Sequence, residues 1–403
     1  MKGCETTPRK VKSRRRTMTY NRGLNPFSKS NTLAQRAVLT AATFIVVGLT
    51  PAHSLFARRQ TPTPAAEDPS VGAFSSRVGA ALSEAHAQKA WWGILVVDRD
   101  TGKTLYELNP DRYFAPASNA KVFATSLALA TLGKDYRFRT TLESKAALSF
   151  DGRLAGDLIL VGRGDPDLSN RQFPFDRKAE REGTPDKVIA ELADAAVAKG
   201  LKQVDGDVIA DDTYYPYDPY PETWTAGDLF FSFGAPISAL SFNDNIAGVD
   251  VVAGAHPGDP ATLAVEPAAA RQGFDSQITT GALGSKADLA VVRQPGPNFI
   301  LLRGTVPPGG PVVHLELAMT QPAETSGRAL RDLLEARGVH VSGTVHALHS
   351  PAPVVNAAGE PGKPDAPSAP AERTVLAEHI SPRLLDSLML TNKISQNLHA
   401  EMF

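Results

Sequence analysis

Apolar and polar positions alternate through "WGILVVDRDTGKTLYEL" (92–108) and break at Asp-Thr-Gly, a pattern that predicts a β-hairpin. The spacing then changes. "SNAKVFATSLALATLG" (118–133) reads as a helix opening just after Pro116 and closing at Gly133. "RFRTTLESKAALSFDGRLAGDLILVG" (137–162) predicts two strands around an Asp-Gly turn. "PDKVIAELADAAVAKGL" (185–201) returns to helical spacing and "QVDGDVIADD" (203–212) to a strand; "TSGRALRDLLEARGVHVSGTVHAL" (325–348) repeats that helix-to-strand order. In "SPRLLDSLMLTN" (381–392) the apolar residues at 384, 385, 388 and 389 form one face of a helix. No solenoid-type repeat is present.

Two segments stand outside this alternation. Residues 350–371 are so rich in Pro and Ala that they read as a loop, and 58–71 as a Pro/Thr/Ala-rich linker. At the start, a Lys/Arg-rich stretch leads into the apolar run "AVLTAATFIVVGL" (37–49) and then small residues, the order of an export signal over 1–57. The run is short for a bilayer span, so membrane contact is expected at most through an uncleaved N-terminal segment. Residues 1–57 hold ten Lys or Arg against Glu5 alone, which leaves the other 346 residues with about ten net negative charges. A body that acidic offers no footing for nucleic acid. The one cysteine, Cys4, precedes the apolar run, so the exported part has no thiol or disulfide chemistry. The nine histidines of the full chain lack metal-ligand spacing, and no G-x-S-x-G serine is present for them to serve. Trp91-Trp92 and "YYPYDPYPETW" (214–224) are expected to pack in core or loops.

Ser118 and Lys121 share one helix face, three residues apart. A serine hydroxyl becomes a nucleophile when a neighbouring base takes its proton, and lysine serves if burial and positive potential lower its pKa. The same residues also suit an N-cap and a solvated first-turn charge. About one Ser-x-x-Lys is expected by chance in a chain this long, and this chain has one. Ser-x-Asn occurs twice. Ser395–Asn397 follows the amphipathic helix and fits a tight helix–helix connection aimed at a nucleophile, whereas Ser241–Asn243 lies in an irregular stretch and is read as structural.

"PASNAKVFATSLALATLG", "GDLILVGRGDPDLS", "VDGDVIADDTYY", "FGAPISALSFNDN", "LRGTVPPGG", "RALRDLLEARGVHVSGTV" and "HISPRLLDSLMLTNKISQNLHAEMF" follow one another from about residue 75 to the last. In this order they resemble the D-alanyl-D-alanine carboxypeptidase/endopeptidase family, the class C low-molecular-mass penicillin-binding proteins. The resemblance implies that Ser118 attacks the penultimate D-Ala carbonyl of a peptidoglycan stem peptide while Lys121 accepts its proton. Ser395 would relay a proton to the leaving amine, and Asn397 would hold the substrate amide and orient Lys121. Asp165 matches a position that reaches a substrate ammonium, though an Asp-Pro turn explains it equally well. The implied partners are peptidoglycan peptides and β-lactams, with no metal or organic cofactor, at the periplasm or cell envelope.

The resemblance also sets the expected architecture: an α+β penicillin-binding transpeptidase/β-lactamase-like domain interrupted by a large, mainly β two-domain insertion. Residues 72–138 plus 372–403 would form the first, with inserts at 139–255 and 256–349. One departure stands out. No Lys-Thr-Gly or Lys-Ser-Gly triplet is present, and the chain stops six residues past Asn397. That strand would supply an oxyanion donor, whose loss costs roughly a hundredfold or more in rate. A truncated member with little or no peptidase activity is therefore expected. The alternatives are a non-catalytic cell-wall-binding or scaffold protein and, less in keeping with the large insertion, a β-lactamase.

Overall fold

The computed structural model describes residues 69–293, 298–351 and 372–403. The export signal, Cys4, most of the 58–71 linker and nearly all of the Pro/Ala-rich loop lie outside the described residues. Two compact units divide the chain at residue 117.

In the smaller unit, helix α1 (Pro69–Leu82) takes in the last three residues assigned to the linker. The expected hairpin is β1 (Ile94–Val97) paired antiparallel with β2 (Thr104–Leu108). Asp98 holds its turn by accepting bonds from the Thr101 N–H (2.8 Å) and hydroxyl (2.6 Å). Trp91 is 81% exposed, so its ring does not pack as expected. Trp92 instead donates its indole N–H to the Ala87 carbonyl (2.9 Å).

The larger unit opens with α2 (Ala120–Leu132), which ends at Gly133. It continues through β3 (Arg139–Ser144), β4 (Arg153–Leu154), β5 (Leu158–Val161), α3 (Lys187–Ala198), β6 (Gln203–Val204) and β7 (Val208–Pro216). A β-rich stretch follows: β8 (Ile246–Val252), β9 (Thr262–Glu266), β10 (Phe274–Thr280), β11 (Asp288–Arg293), β12 (Ile300–Val306) and β13 (Val313–Ala318). The chain then forms α4 (Pro322–Ala336), β14 (His340–Val341), β15 (Val345–Ser350), β16 (Thr374–Ile380), α5 (Leu384–Ile394) and α6 (Asn397–Met402).

The main sheet runs β15-β7-β5-β3-β16, and β14-β6-β4 forms a smaller parallel sheet beside it. Three segments pass from the small sheet to the large one through the same short pattern: Leu154-Ala155-Gly156-Asp157-Leu158, Val204-Asp205-Gly206-Asp207-Val208 and Val341-Ser342-Gly343-Thr344-Val345. Each lies in register with its neighbour. The Gly206 N–H reaches the Gly156 carbonyl and the Gly343 N–H the Gly206 carbonyl, both at 3.1 Å. A Cβ at Gly343 would stand 2.3 Å from the Gly206 oxygen, so the close approach requires glycine there. Helix α3 buries Val188, Ile189, Leu192, Ala193 and Ala196 and packs against α4, β16 and β3, while α4 packs against β7, β14 and β15.

Residues 246–318 add two three-stranded sheets, β13-β8-β9 and β10-β12-β11. Strand pairing crosses the borders expected from sequence. β13 pairs with β8 across 255/256, β15 joins β7, and β16, expected with the penicillin-binding domain, pairs antiparallel with β3. Backbone hydrogen bonding between distant segments decides this, and local composition carries no trace of it. Among the described residues no helix is long and apolar enough to cross a membrane.

Candidate active site

A 3₁₀ turn over Ala117–Asn119 leads directly into α2, so Ser118 sits exposed at the helix start and Lys121 in the first turn. The Lys121 Nζ donates a hydrogen bond to Ser118 Oγ at 3.2 Å. Burial lowers the lysine from its ordinary value, while the nearby Glu401 charge pushes the other way. A base beside a hydroxyl, drawn toward its neutral form, is the requirement for nucleophile activation.

Ser395 caps α5 in the left-handed conformation (φ 60°, ψ 42°), the geometry that turns the chain sharply into α6. Both the Ser395 and Gln396 N–H groups point back to the Thr391 carbonyl. Gln396 then caps α6 by accepting from the Leu398 N–H (3.2 Å). The expected helix–turn–helix setting of Ser-x-Asn is thus present. Ser395 and Asn397 line a cleft of about 270 Å³, together with Arg181, Phe233 and Glu316. Helix α2 packs against both α5 and α6, and Asn392 donates to the Thr125 hydroxyl across the first contact (3.1 Å).

The elements carrying the two pairs are therefore adjacent, but the pairs are not bonded to each other. Among the described residues no hydrogen bond joins Ser118 or Lys121 to Ser395 or Asn397. The Asn397 amide donates instead to the Phe233 carbonyl (2.7 Å), so it does not orient Lys121 in this conformation.

Asp165 departs further from its expected role. It is wholly buried, accepts the Asp167 N–H at 2.9 Å, and leaves Oδ2 unpartnered, 3.8 Å from His379 Nε2. A carboxylate without solvent exposure presents nothing to a substrate ammonium in this conformation. Burial pushes Asp165 and Asp167 up to about 7, the second raised further by the first. The Ser387 hydroxyl donates to Asp167, tying this loop to α5.

A polar hub that sequence reasoning missed lies behind the Ser-x-Asn turn. Asn243, Asp244 and Asn245 are three consecutive buried residues with φ near +50°, and Ser241 is buried beside them. The Asp244 carboxylate accepts from Arg171 Nε (3.0 Å), Arg181 Nη2 (2.6 Å) and His399 Nε2 (3.1 Å). Burial opposes its charge, yet His399 and the two arginines outweigh that and hold it far below the usual carboxylate range. The one sequence signal was "SFNDN" itself, a dense run of Asn and Asp suited to left-handed backbone. Among the described residues no group of three or more His, Cys, Asp or Glu is arranged to hold a metal ion.

A Ser-x-x-Lys pair at a helix start beside a Ser-x-Asn helix connection, on a mixed helix–strand body with long β-rich insertions, defines a class of penicillin-binding-type folds. The chain belongs to the D-Ala-D-Ala carboxypeptidase 3 (S13) family, whose profile matches residues 75–403. It is 32% identical over 331 residues to a D-alanyl-D-alanine carboxypeptidase of an Actinomadura species, covering 81% of this chain and 55% of that protein. It is 25% identical over 167 residues to D-alanyl-D-alanine carboxypeptidase DacB of Haemophilus influenzae, covering 41% of this chain and 31% of that one. The crystal structure of penicillin binding protein 4 (dacB) from Haemophilus influenzae matches with a TM-score of 0.60 at 22% identity, covering 77% of this chain and 60% of that one. The same protein complexed with a β-lactam matches with a TM-score of 0.53, again at 22% identity, over 77% of this chain and 59% of that one. This chain thus spans between about a third and three fifths of the length of the relatives it matches.

Proposed function

We propose that this chain carries the acylation site of a serine-type D-alanyl-D-alanine carboxypeptidase/endopeptidase that acts on peptidoglycan peptides in the cell envelope. The observation that carries this reading is the 3.2 Å hydrogen bond between Lys121 Nζ and Ser118 Oγ at a helix start. With Lys121 neutral, Ser118 Oγ attacks the carbonyl carbon of the penultimate D-Ala, and its proton passes to Nζ. The C–N bond breaks as the leaving amine takes a proton, with Ser395 the relay on the neighbouring turn. D-Ala departs, and water then attacks the ester on Ser118 to restore the hydroxyl. Cross-bridge cleavage follows the same path with a longer leaving amine. Asn397 would release Phe233 to meet the substrate amide. A β-lactam would acylate Ser118 as a substrate mimic, as the complex of the Haemophilus influenzae protein makes reasonable. Export by the basic, apolar N-terminal segment agrees with a wall substrate.

Labelling with a fluorescent penicillin tests the reading. A stable adduct on Ser118, located by peptide mapping and absent from Ser118→Ala, is the expected outcome. A folded chain that takes no label overturns it in favour of a non-catalytic wall-binding protein, and rapid loss of the label points to a β-lactamase.

A further inference from the structure

His399 is fully buried, two residues beyond Asn397 in the first turn of α6. Its Nε2 faces the Asp244 carboxylate at 3.1 Å, and its Nδ1 faces the Thr391 hydroxyl at 3.5 Å. A carboxylate can only accept, so the proton on that side belongs to Nε2. The Thr391 hydroxyl already donates to the Ser387 carbonyl (2.8 Å), and the Thr391 carbonyl receives the Ser395 and Gln396 N–H groups that make the turn. One imidazole therefore stands between the residue that closes α5 and the residue at the centre of the buried hub. The charged groups around it are Asp244, with Arg171 and Arg181 on its far oxygen, and Asp167 on the loop that Ser387 holds.

We infer that His399 is a positioning residue: it fastens the Ser395–Asn397 turn to the Asp244 hub and so sets where the Ser395 hydroxyl and Asn397 amide stand. Few directed contacts do this work. The helices that flank the turn also bury Leu384, Leu388 and Leu390 on α5 and Leu398 and Met402 on α6, but apolar packing is non-directional and does not set where a polar side chain is aimed. Asn397 adds one bond to a backbone carbonyl, and the Tyr215 hydroxyl donates to the Met402 carbonyl (2.6 Å) at the far end of α6. Within the first turn of α6, Leu398 supplies apolar burial and the imidazole supplies the buried directed contact to the hub. A leucine at 399 would fill the space but leave Asp244 without that donor. A glutamine would offer an amide N–H at nearly the same reach.

The inference rests on the proposed role of the turn, but its test does not require catalysis. Amide hydrogen exchange and imidazole nitrogen resonances are recorded on the full chain and on His399→Leu and His399→Gln. The parent is expected to show His399 as the Nε2–H tautomer. His399→Leu should speed exchange at 395–399 by roughly tenfold or more, as fits loss of a hydrogen bond to a charged group, while β5 and β7 change less than about twofold. His399→Gln should return exchange to within about threefold of the parent. An Nδ1–H tautomer, acceleration spread evenly over the core strands, or a glutamine variant as fast as the leucine one would each overturn the inference. If the leucine chain does not fold, the tautomer and the glutamine variant decide. Penicillin labelling of the parent, measured separately, tests Ser118, so failure of one reading is not mistaken for failure of the other.

Discussion

The sheet body and the helical corner that carries Ser118 bury their side chains to very different degrees. In the body, Leu142, Leu154, Leu158, Leu160, Val204 and Val208 are all at 0% exposure, and α3 and α4 close one side. In the corner, α2 is apolar around most of its circumference, yet only Thr125 and Ala128 are buried. Val122, Phe123 and Leu127 stand 51%, 74% and 68% exposed. A helix apolar on every side is ordinarily surrounded by protein, and among the described residues α2 is covered on one side. The body is thus specified by packing, whereas in the corner the buried leucines of α5 and α6 are joined by directed polar contacts: Thr125 with Asn392, Ser381 with the Phe138 N–H (2.8 Å), and His399 with Asp244. Such contacts fix orientation sharply while contributing little apolar area, which suits a site whose groups must be aimed.

The largest expected effect separates the two regions directly. Leu160→Ala in the body should cost about 3 kcal/mol through lost transfer energy and a cavity, while Phe123→Ala on α2 should stay within about 0.5 kcal/mol. Denaturant unfolding measures both, and comparable losses would break the contrast.

A middle-sized effect concerns the buried acids on the loop that ties the body to α5. Asp167 rises from an ordinary value near 4 in the unfolded chain to about 7 when folded, chiefly through burial. The folded state then holds the extra proton between those values, so stability is fully present below pH 4, falls as pH rises toward 7, and levels off above. Asp165 rises to about 7 as well, so Asp167→Asn should weaken that dependence without abolishing it, and should gain on the order of 1–2 kcal/mol relative to the parent between pH 5 and 8. Melting curves at the two pH values that differ by a constant amount would show that Asp167 does not titrate in this window.

The smallest effect sharpens the electrostatics of the corner. Glu401 on α6 raises Lys121 against the lowering effect of burial. Glu401→Gln should therefore free the amine at lower pH and move the rising limb of penicillin labelling down by less than about one pH unit. An unmoved or upward-shifted limb would remove Glu401 from the surroundings of the base.

Much of the local structure was legible because it rests on local physics. The hairpin at 94–108, the helix closing at Gly133 and the two helix-to-strand units follow from periodicity and turn residues. The helix over 384–394 shows where that reading stops. Leu384 and Leu388 are buried as the pattern requires, but Met389 is 49% exposed, and Ser387 and Thr391 are buried in its stead. Those two polar residues are inside because Asp167 and His399 meet them there, one of them 220 positions away in the chain. The thrice-repeated Gly bend was equally hidden, since its three copies match only weakly until they lie side by side.

The sequence by itself determined the local elements, the Ser118–Lys121 spacing and the family, because helix periodicity and ordered motifs are properties of neighbouring residues. Tertiary structure alone decided that β16 belongs to the sheet of β3, that Asp165 is enclosed, and that Asp244 and His399 stand behind the Ser395 turn. Those outcomes depend on which distant groups share one low-dielectric interior, and there a buried charge persists only where partners from other segments converge on it.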